Sequence, residues 1–250
     1  MKLARRLLLT LVILLALALL AFLLVRFFSR ADETPPVLLP SPAENAGVSD
    51  GAGEGETLTL ATVTPETVLD VLAALDRADS YSRTLTVETF WDGGADTETI
   101  DVYARGGSVR LVSGTRSLLL TDDGAWLWYS DAARVLHSES DLRALADRYS
   151  RTLTYEALLS SRPPIAEAYC TDLDGESCIY LEYADGAFHY VNRLYISVVT
   201  GLLMRAATFD GESCIYRMVS GAADISTPED AVFAPPEGDT VSFAGISPAA

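Results

Sequence analysis

The chain is poor in the side chains on which most metal sites and many catalytic mechanisms depend. Its 250 residues include one lysine, Lys2, and two histidines, His137 and His189. A mechanism based on lysine is therefore excluded beyond the extreme N-terminus. A zinc site is not expected either, because neither histidine has a cysteine or carboxylate at metal-ligand spacing. We expect no metal, no cofactor and no enzymatic activity.

Basic residues are also scarce where a nucleic-acid-binding protein would need them. The net charge is −17, and the first thirty residues carry five of the 18 lysines and arginines and none of the 35 acidic residues. The rest of the chain is therefore strongly acidic. Because nucleic-acid affinity rests on neutralising phosphates, nucleic acid is not an expected partner.

Only three cysteines occur, Cys170, Cys178 and Cys214, and two of them lie in copies of the same heptapeptide, Asp-Gly-Glu-Ser-Cys-Ile-Tyr. In an antiparallel meander the strands of Cys178 and Cys214 would be three positions apart, about 14 Å, which is too far for a disulfide. Cys170 and Cys178 face each other across one predicted hairpin and are the candidate disulfide pair. Three reduced thiols are the alternative.

One long hydrophobic run, Leu7 to Val25, stands out near the N-terminus. It is close to the roughly 20 residues needed to cross a bilayer, and it lacks the small-residue cleavage site of a signal peptide. The sequence therefore predicts an uncleaved, single-pass membrane anchor in residues 1–30 and places the acidic bulk outside the cytoplasm. Residues 31–56, rich in proline, glycine and acidic residues, predict a disordered tether, followed by a folded domain in residues 57–250.

The first half of this domain predicts one helix and then a series of short strands. Thr64 caps the helix, and Val68, Val71, Leu72 and Leu75 lie on one of its faces. Alternating segments separated by glycine turns then predict an antiparallel meander. Its strands are Tyr81–Trp91, Glu98–Ala104, Ser108–Val112, Ser117–Thr121, Ala125–Tyr129 and Arg134–Ser138. Two further helical pieces are predicted, from Ser140 to Tyr149 and from Tyr155 to Leu159.

The C-terminal part predicts three more strands. A run around Leu194 turns at Thr200-Gly201, and the next run, Leu202 to Phe209, turns at Asp210-Gly211. A third run, Ser213 to Val219, leads to a short helical turn that begins with Thr227, an N-cap residue followed by proline.

The order and spacing of these motifs resemble the LolA/LolB-like lipoprotein-carrier superfamily, which includes the regulator RseB and mycobacterial lipid-binding lipoproteins. The resemblance covers roughly residues 64–238. It rests on the following segments: Leu75-Asp76, Asp79-Ser80-Tyr81-Ser82, Asp123-Gly124-Ala125-Trp126-Leu127-Trp128-Tyr129, Leu194-Tyr195-Ile196-Ser197, Thr200-Gly201-Leu202, Asp210-Gly211 and Asp230-Ala231-Val232-Phe233 with Pro235, Pro236 and Gly238.

The resemblance implies an α+β fold: a strongly curved antiparallel sheet, or half-barrel, whose concave side is covered by short helices. It also implies binding of a hydrophobic ligand, a lipid or the acyl chain of a lipoprotein, without catalysis. Where helices do not fill such a sheet, a cavity can take an acyl chain. The candidate lining residues are Phe90, Trp91, Trp126, Trp128, Tyr129 and Leu203. Simple packing is the alternative role for the aromatic residues.

Two questions stay open on the sequence alone. Trp126 and Trp128 alternate with Leu127 and Tyr129, and both pairs are apolar, so the strand is covered on both faces or carries a partner surface. An anchored chain also cannot shuttle between membranes, which favours a fixed receptor, chaperone or sensor of the cell envelope. The alternative is a regulatory, protein-interaction module with a filled core, in contact with another envelope protein.

Overall fold

The computed structural model describes residues 37–39 and 59–242, with side chains from residue 62 onward. No helix within these ranges is long and apolar enough to cross a membrane. The predicted anchor, Leu7 to Val25, lies outside the described residues, as does the predicted tether apart from three residues. Those three form β1 (Val37–Leu39), which pairs with β2 (Thr59–Ala61) in an antiparallel ladder.

The described residues of the domain are dominated by one large sheet of 12 strands. In chain order the strands are β3 (Ser80–Trp91), β4 (Gly94–Arg105), β5 (Ser108–Ser113), β6 (Arg116–Thr121), β7 (Gly124–Tyr129), β8 (Arg134–Ser138), β9 (Ile165–Leu173), β10 (Glu176–Ala184), β11 (Val191–Ser197), β12 (Leu203–Asp210), β13 (Ser213–Ser220) and β14 (Asp239–Ser242).

The order of the strands across the sheet shows two meanders joined side by side. The order is β14-β8-β7-β6-β5-β4-β3-β13-β12-β11-β10-β9. The sheet is curved, and because β14 and β9 are its free edges within the described residues it is not closed. All neighbours are antiparallel except β14 and β8, which are parallel. The join is the ladder between β13 and β3, in which Met218 lies opposite Val87. Architecture and helix content fit the predicted half-barrel.

Within residues 59–242, three short α-helices lie on one face of the sheet, which we call the inner face. They are α1 (Val68–Ala73), α2 (Ala146–Tyr149) and α3 (Glu156–Ser161), and a 3-10 turn, Arg143–Leu145, precedes α2. Helices α1 and α3 bury apolar side chains in the main core, which also holds the inner side chains of β3, β4 and β10 to β13. The predicted helix from Ser140 is therefore present only as a 3-10 turn and one α-helical turn.

The opposite, outer face is partly covered by the C-terminal segment. A second small core forms there from Leu119, Trp128 and Val135, with Trp126 and Phe233 packed against it. Phe233 comes from a 3-10 helix, Asp230–Phe233, at the position of the predicted helical turn. Strand β7 is thus covered on both faces, because Ala125 and Leu127 point inward while the two tryptophans point outward.

The cysteines do not form the predicted pair. Cys170, Cys178 and Cys214 are all free. Across the β9–β10 hairpin, Cys178 lies opposite Thr171, and Cys170 lies opposite Ile179. Because neighbouring residues of a strand point to opposite faces, the two thiols lie on different sides of the sheet. The predicted disulfide is absent because the β9–β10 register is shifted by one residue from the register that would place Cys170 directly opposite Cys178.

Two turn glycines have a similar backbone conformation but different surroundings. Gly201 (φ +63°) and Gly211 (φ +58°) are both left-handed, but a Cβ on Gly201 would overlap the carbonyl oxygen of Asp76, whereas a Cβ on Gly211 would meet nothing within 4 Å. Gly211→Ala should therefore cost only the backbone strain, about 1–2 kcal/mol. Gly201→Ala should cost clearly more, as measured by denaturant unfolding followed by tryptophan fluorescence. Equal losses would contradict the described contact between this turn and Asp76.

Candidate functional site

The inner face is covered unevenly. Over β4 to β7 the cover is a single segment, Leu142–Ser150, which we call the cover segment and which contains the 3-10 turn and α2. Neither of these elements has a fully buried residue. The cover segment therefore lies above the sheet without filling the space beneath it, and two cavities lie there.

The larger cavity, the polar cavity, has a volume of about 370 Å³. The strands contribute the apolar side chains Val102, Val109 and Leu111 to its wall. Charged side chains complete the wall, and they include three arginines and three acidic residues: Arg77, Arg83, Arg143, Asp79, Asp147 and Glu156. Exposed residues such as Gly107 and Thr154 lie at its rim. The polar cavity thus combines an apolar floor with fixed charges.

The smaller cavity, the apolar cavity, has a volume of about 160 Å³. Leu111 lines both cavities, so the two adjoin along β5. Most of the remaining lining is apolar and comes from β6, β7 and the cover segment: Leu118, Ala125, Leu127, Leu142 and Tyr149, with Arg116 and Tyr129 at the side. Leu118 and Leu127 are only partly buried although they point inward. A space of this kind suits an apolar group better than water, which needs several polar partners.

A bidentate ion pair connects the cover segment to the rest of the domain. The Arg77 guanidinium donates from Nη1 and Nη2 to the two carboxylate oxygens of Asp147, at 2.9 and 3.0 Å, and Nη1 also lies 3.3 Å from Glu156. Burial disfavours the charge on Arg77, but the hydrogen bond and the charge of Asp147 outweigh it and raise the pKa of Arg77. Arg77 thus connects the cover segment, through Asp147, and the start of α3, through Glu156, to the rest of the domain.

A second set of polar contacts holds the chain where it leaves the cover segment. Arg151 donates to Glu98 at 3.0 Å, to Asp96 at 3.1 Å and to Thr89 at 2.6 Å, and its own carbonyl accepts a hydrogen bond from Tyr216. Burial works against ionised Glu98, but hydrogen bonds from Ser113 and Arg151 lower its pKa below the ordinary value. These contacts fix the end of the cover segment to β3, β4 and β13.

Arg83 occupies an unusual position beneath the cover segment. It lies on β3 between Tyr81 and Leu85, points inward, and is 5% exposed. Its Nη1 donates to the carbonyl oxygen of Leu203 at 2.7 Å, and its guanidinium carbon lies 5.4 Å from the centre of the Tyr81 ring. Among the described residues, its Nε has no hydrogen-bond partner. Burial lowers the pKa of Arg83.

The structure separates the six residues that were expected to line one cavity. Tyr129 lines the apolar cavity, and Leu203 is buried in the main core. Trp91 stands at the end of β3, is 56% exposed and packs against Gly94. The other three lie on the outer face, where Arg217 covers Phe90, Arg110 covers Trp128 and His137 stacks on Trp126. For Phe90, Trp126 and Trp128 the expected location is wrong, since outward-pointing residues cannot reach an inner cavity.

Among the residues that line the cavities, Arg83 is the one that the sequence pattern could have identified. Tyr81, Leu85 and Val87 alternate along β3 with polar residues, and Arg83 falls in the same inward phase. An arginine in the apolar phase of a strand is the mark of an internal charge. The leucines of β5, β6 and β7 carry no such mark, because apolar residues are equally expected in a filled core. In the described part of the chain, no three or more His, Cys, Asp or Glu side chains are placed to hold a metal ion.

Comparison with known proteins returned matches at the level of structure. No protein-family model and no curated protein matches the sequence. The similar solved structures include a LolA superfamily protein from Nitrosomonas europaea, with 11% identity and a TM-score of 0.32, covering 69% of this chain and 98% of that one. LprF from Mycobacterium bovis has 11% identity and a TM-score of 0.37, covering 66% and 94%.

An uncharacterised conserved protein from Thermus thermophilus is similar too, with 12% identity and a TM-score of 0.43, covering 66% of this chain and 91% of that one. The similar structures thus include a LolA superfamily protein. Because identities and TM-scores are low, the ligand and the role of this chain have to be derived from its own cavities.

The ion pair of Arg77 with Asp147 predicts how firmly the cover segment is held. Arg77→Met should raise amide hydrogen exchange within Leu142–Ser150 several-fold, because the pair is lost and Asp147 is left without its partner. The matched control is Arg143→Gln. The ion pair of Arg143 is with Asp141, two residues earlier in the chain, and not with a residue of the sheet or of the core helices. Unchanged exchange in Arg77→Met, or an equal rise in both variants, would contradict this role.

Proposed function

We propose that this chain binds a hydrophobic ligand, a lipid or the acyl chain of a lipoprotein, in the two adjoining cavities beneath the cover segment. We further propose that it does so as a membrane-anchored protein outside the cytoplasm, acting as a fixed receptor, chaperone or sensor and not as an enzyme. The observation that carries the proposal is the apolar inner surface of β4 to β7, over which the cover segment buries none of its helical residues.

The size and lining of the cavities support this ligand class. The polar cavity alone, at about 370 Å³, is in the range of ligand pockets, about 300–1,000 Å³. The apolar cavity adjoins it at Leu111 and is lined by Leu118 and Leu127. The mainly apolar lining of the apolar cavity suits a chain of methylene groups better than a compact polar metabolite.

Burial of an acyl chain supplies enough free energy for binding. Each methylene group removed from water contributes about 0.8 kcal/mol, so ten of them contribute about 8 kcal/mol before the costs of association. The acidic character of the domain works against an anionic surface but does not affect this term. A ligand that buries its acyl chain in the cavities therefore does not need a large contact area on the exterior of the domain.

The predicted anchor and tether support a stationary role. The apolar run Leu7 to Val25 and the acidic bulk that follows it favour an extracytoplasmic domain held at one membrane. Residues 31–36, which precede β1, would span about 20 Å at a ceiling of about 3.3 Å per residue, so the domain would stay near that membrane. Lipid or lipoprotein would then come to the domain, which is the arrangement of a receptor, a local chaperone or a sensor.

The alternative is a regulatory module that contacts an envelope protein and has a filled core. That module needs no internal space, and the two cavities favour ligand binding over it. The tryptophans that the alternative would have used as a partner patch, Trp126 and Trp128, pack with Phe233 in the small outer core.

Filling the apolar cavity should abolish ligand uptake. The full chain, in nanodiscs of phosphatidylcholine, is exposed to photoactivatable analogues of palmitic acid and of 1-monopalmitin, and the labelled peptides are identified by mass spectrometry. We expect labelling within β5 to β7 and the cover segment. Leu127→Trp should reduce that labelling at least about tenfold, because the larger side chain occupies the space of the acyl chain.

The control is Thr99→Trp, which adds the same side chain to an exposed position on the outer face of β4. It should label like the wild-type chain, and both variants should unfold at wild-type temperatures. The absence of cavity labelling with every probe would reject ligand binding and favour the protein-interaction module. Equal loss in both variants would trace the effect to something other than the cavity.

A further inference from the structure

Arg83 is a buried charge whose hydrogen-bonding capacity is largely unused. A guanidinium carries five N–H donors and stays protonated at neutral pH. In Arg83, one donor is used by the Leu203 carbonyl, and Nε is both buried and without a partner among the described residues. None of the ion pairs of the described residues includes Arg83. Burying a charge without a counter-charge is costly, so the position calls for an explanation.

The other arginines that line the two cavities do have carboxylate partners. Arg77 pairs with Asp147 and Glu156, Arg143 with Asp141 and Arg116 with Glu98. Two of the three acidic residues on the wall of the polar cavity are therefore already engaged by Arg77. The third, Asp79, makes no ion pair within the described residues and does not reach Arg83. Arg83 is thus the one cavity arginine whose charge the described chain leaves uncompensated.

We infer that the ligand of this chain ends in an anionic group, a carboxylate or a phosphate, and that Arg83 pairs with it inside the polar cavity. The inference rests on the proposed function and specifies the chemical class of its ligand. It follows from three observations: Arg83 lines the polar cavity, its guanidinium makes one hydrogen bond within the described residues, from Nη1 to the Leu203 carbonyl, and no acidic residue of the cavity wall forms an ion pair with it.

The arrangement of the two cavities fits an amphiphile with a charged end. Arg83 lies in the polar cavity, and Leu111 leads from that cavity into the apolar one. An anionic end at Arg83 would accept hydrogen bonds from the guanidinium, which binds planar carboxylates and phosphates through two parallel bonds. Its acyl chain would extend across Leu111 toward Leu118 and Leu127. In a domain as acidic as this one, a buried arginine also offsets the general repulsion of an anion.

The test compares probes that share one acyl chain and differ in the end group. Three photoactivatable C16 probes, ending in a carboxylate, a phosphate monoester and a neutral glycerol ester, compete for the full chain in phosphatidylcholine nanodiscs. We expect the wild-type chain to prefer one or both anionic probes over the neutral probe by about ten- to a hundredfold. The stronger of the two anionic probes distinguishes a fatty acid from a phosphorylated lipid.

Variants of Arg83 then assign the preference to this side chain. Arg83→Met, which keeps length and removes charge, should lose the preference and bind the neutral probe as before, whereas Arg83→Lys should retain part of it. Arg217→Gln, at an arginine on the outer face that pairs with Glu88, is the matched control and should keep the wild-type preference. Because the wild-type comparison needs no variant, the inference can be tested even if Arg83→Met does not fold.

The possible failures are distinguishable. Equal binding of all three probes by the wild-type chain, with labelling of the cavities, would overturn the role of Arg83 and leave the proposed function intact. An equal loss of all three probes in Arg83→Met would show that Arg83 only supports the structure and would likewise overturn the inference. No cavity labelling by any probe would remove the proposed function and this inference with it.

Discussion

Twelve strands present more apolar surface on one face than three helices of four to six residues can bury. This mismatch organises the domain. Helices α1 and α3 are placed over β3 and β10 to β13, where apolar side chains from both sides form a dense core. The remaining inner surface, over β4 to β7, receives only the cover segment. One sheet therefore serves as a packed scaffold in one half and as the floor of two cavities in the other.

Much of this architecture could be predicted from local patterns. Alternation of polar and apolar residues, with glycine at the turns, placed strands at β3, β5 and β7 to within a residue or so of their bounds, because strand period and turn chemistry are local properties. The helices were harder to place. The segment from Ser140 to Tyr149 has apolar residues at helical spacing, but it forms only a 3-10 turn and one helical turn, and neither element has a fully buried residue.

What could not be predicted depends on contacts between distant parts of the chain. Strand β7 has apolar residues in both phases, and its faces were decided by Phe233, about a hundred residues away, which covers Trp128 on the outer side. The pairing of β13 with β3 and the parallel pairing of β14 with β8 leave no local mark either. For the candidate site, the arginine of β3 was readable from its phase, while the space beneath the cover segment follows only from how little that segment buries.

The three unbridged cysteines bear on where and how this domain can mature. Burial, with the negative charges of Glu176 and Asp172, raises the pKa of Cys178 to about 12, and burial raises the pKa of Cys170 as well. Thiols that hold their protons so firmly are poor nucleophiles and slow to exchange or oxidise. Strand pairing, apolar packing and ion pairs stabilise the described fold. Because none of its three cysteines is bridged, the described fold does not depend on a disulfide and can form without oxidising enzymes or a disulfide isomerase.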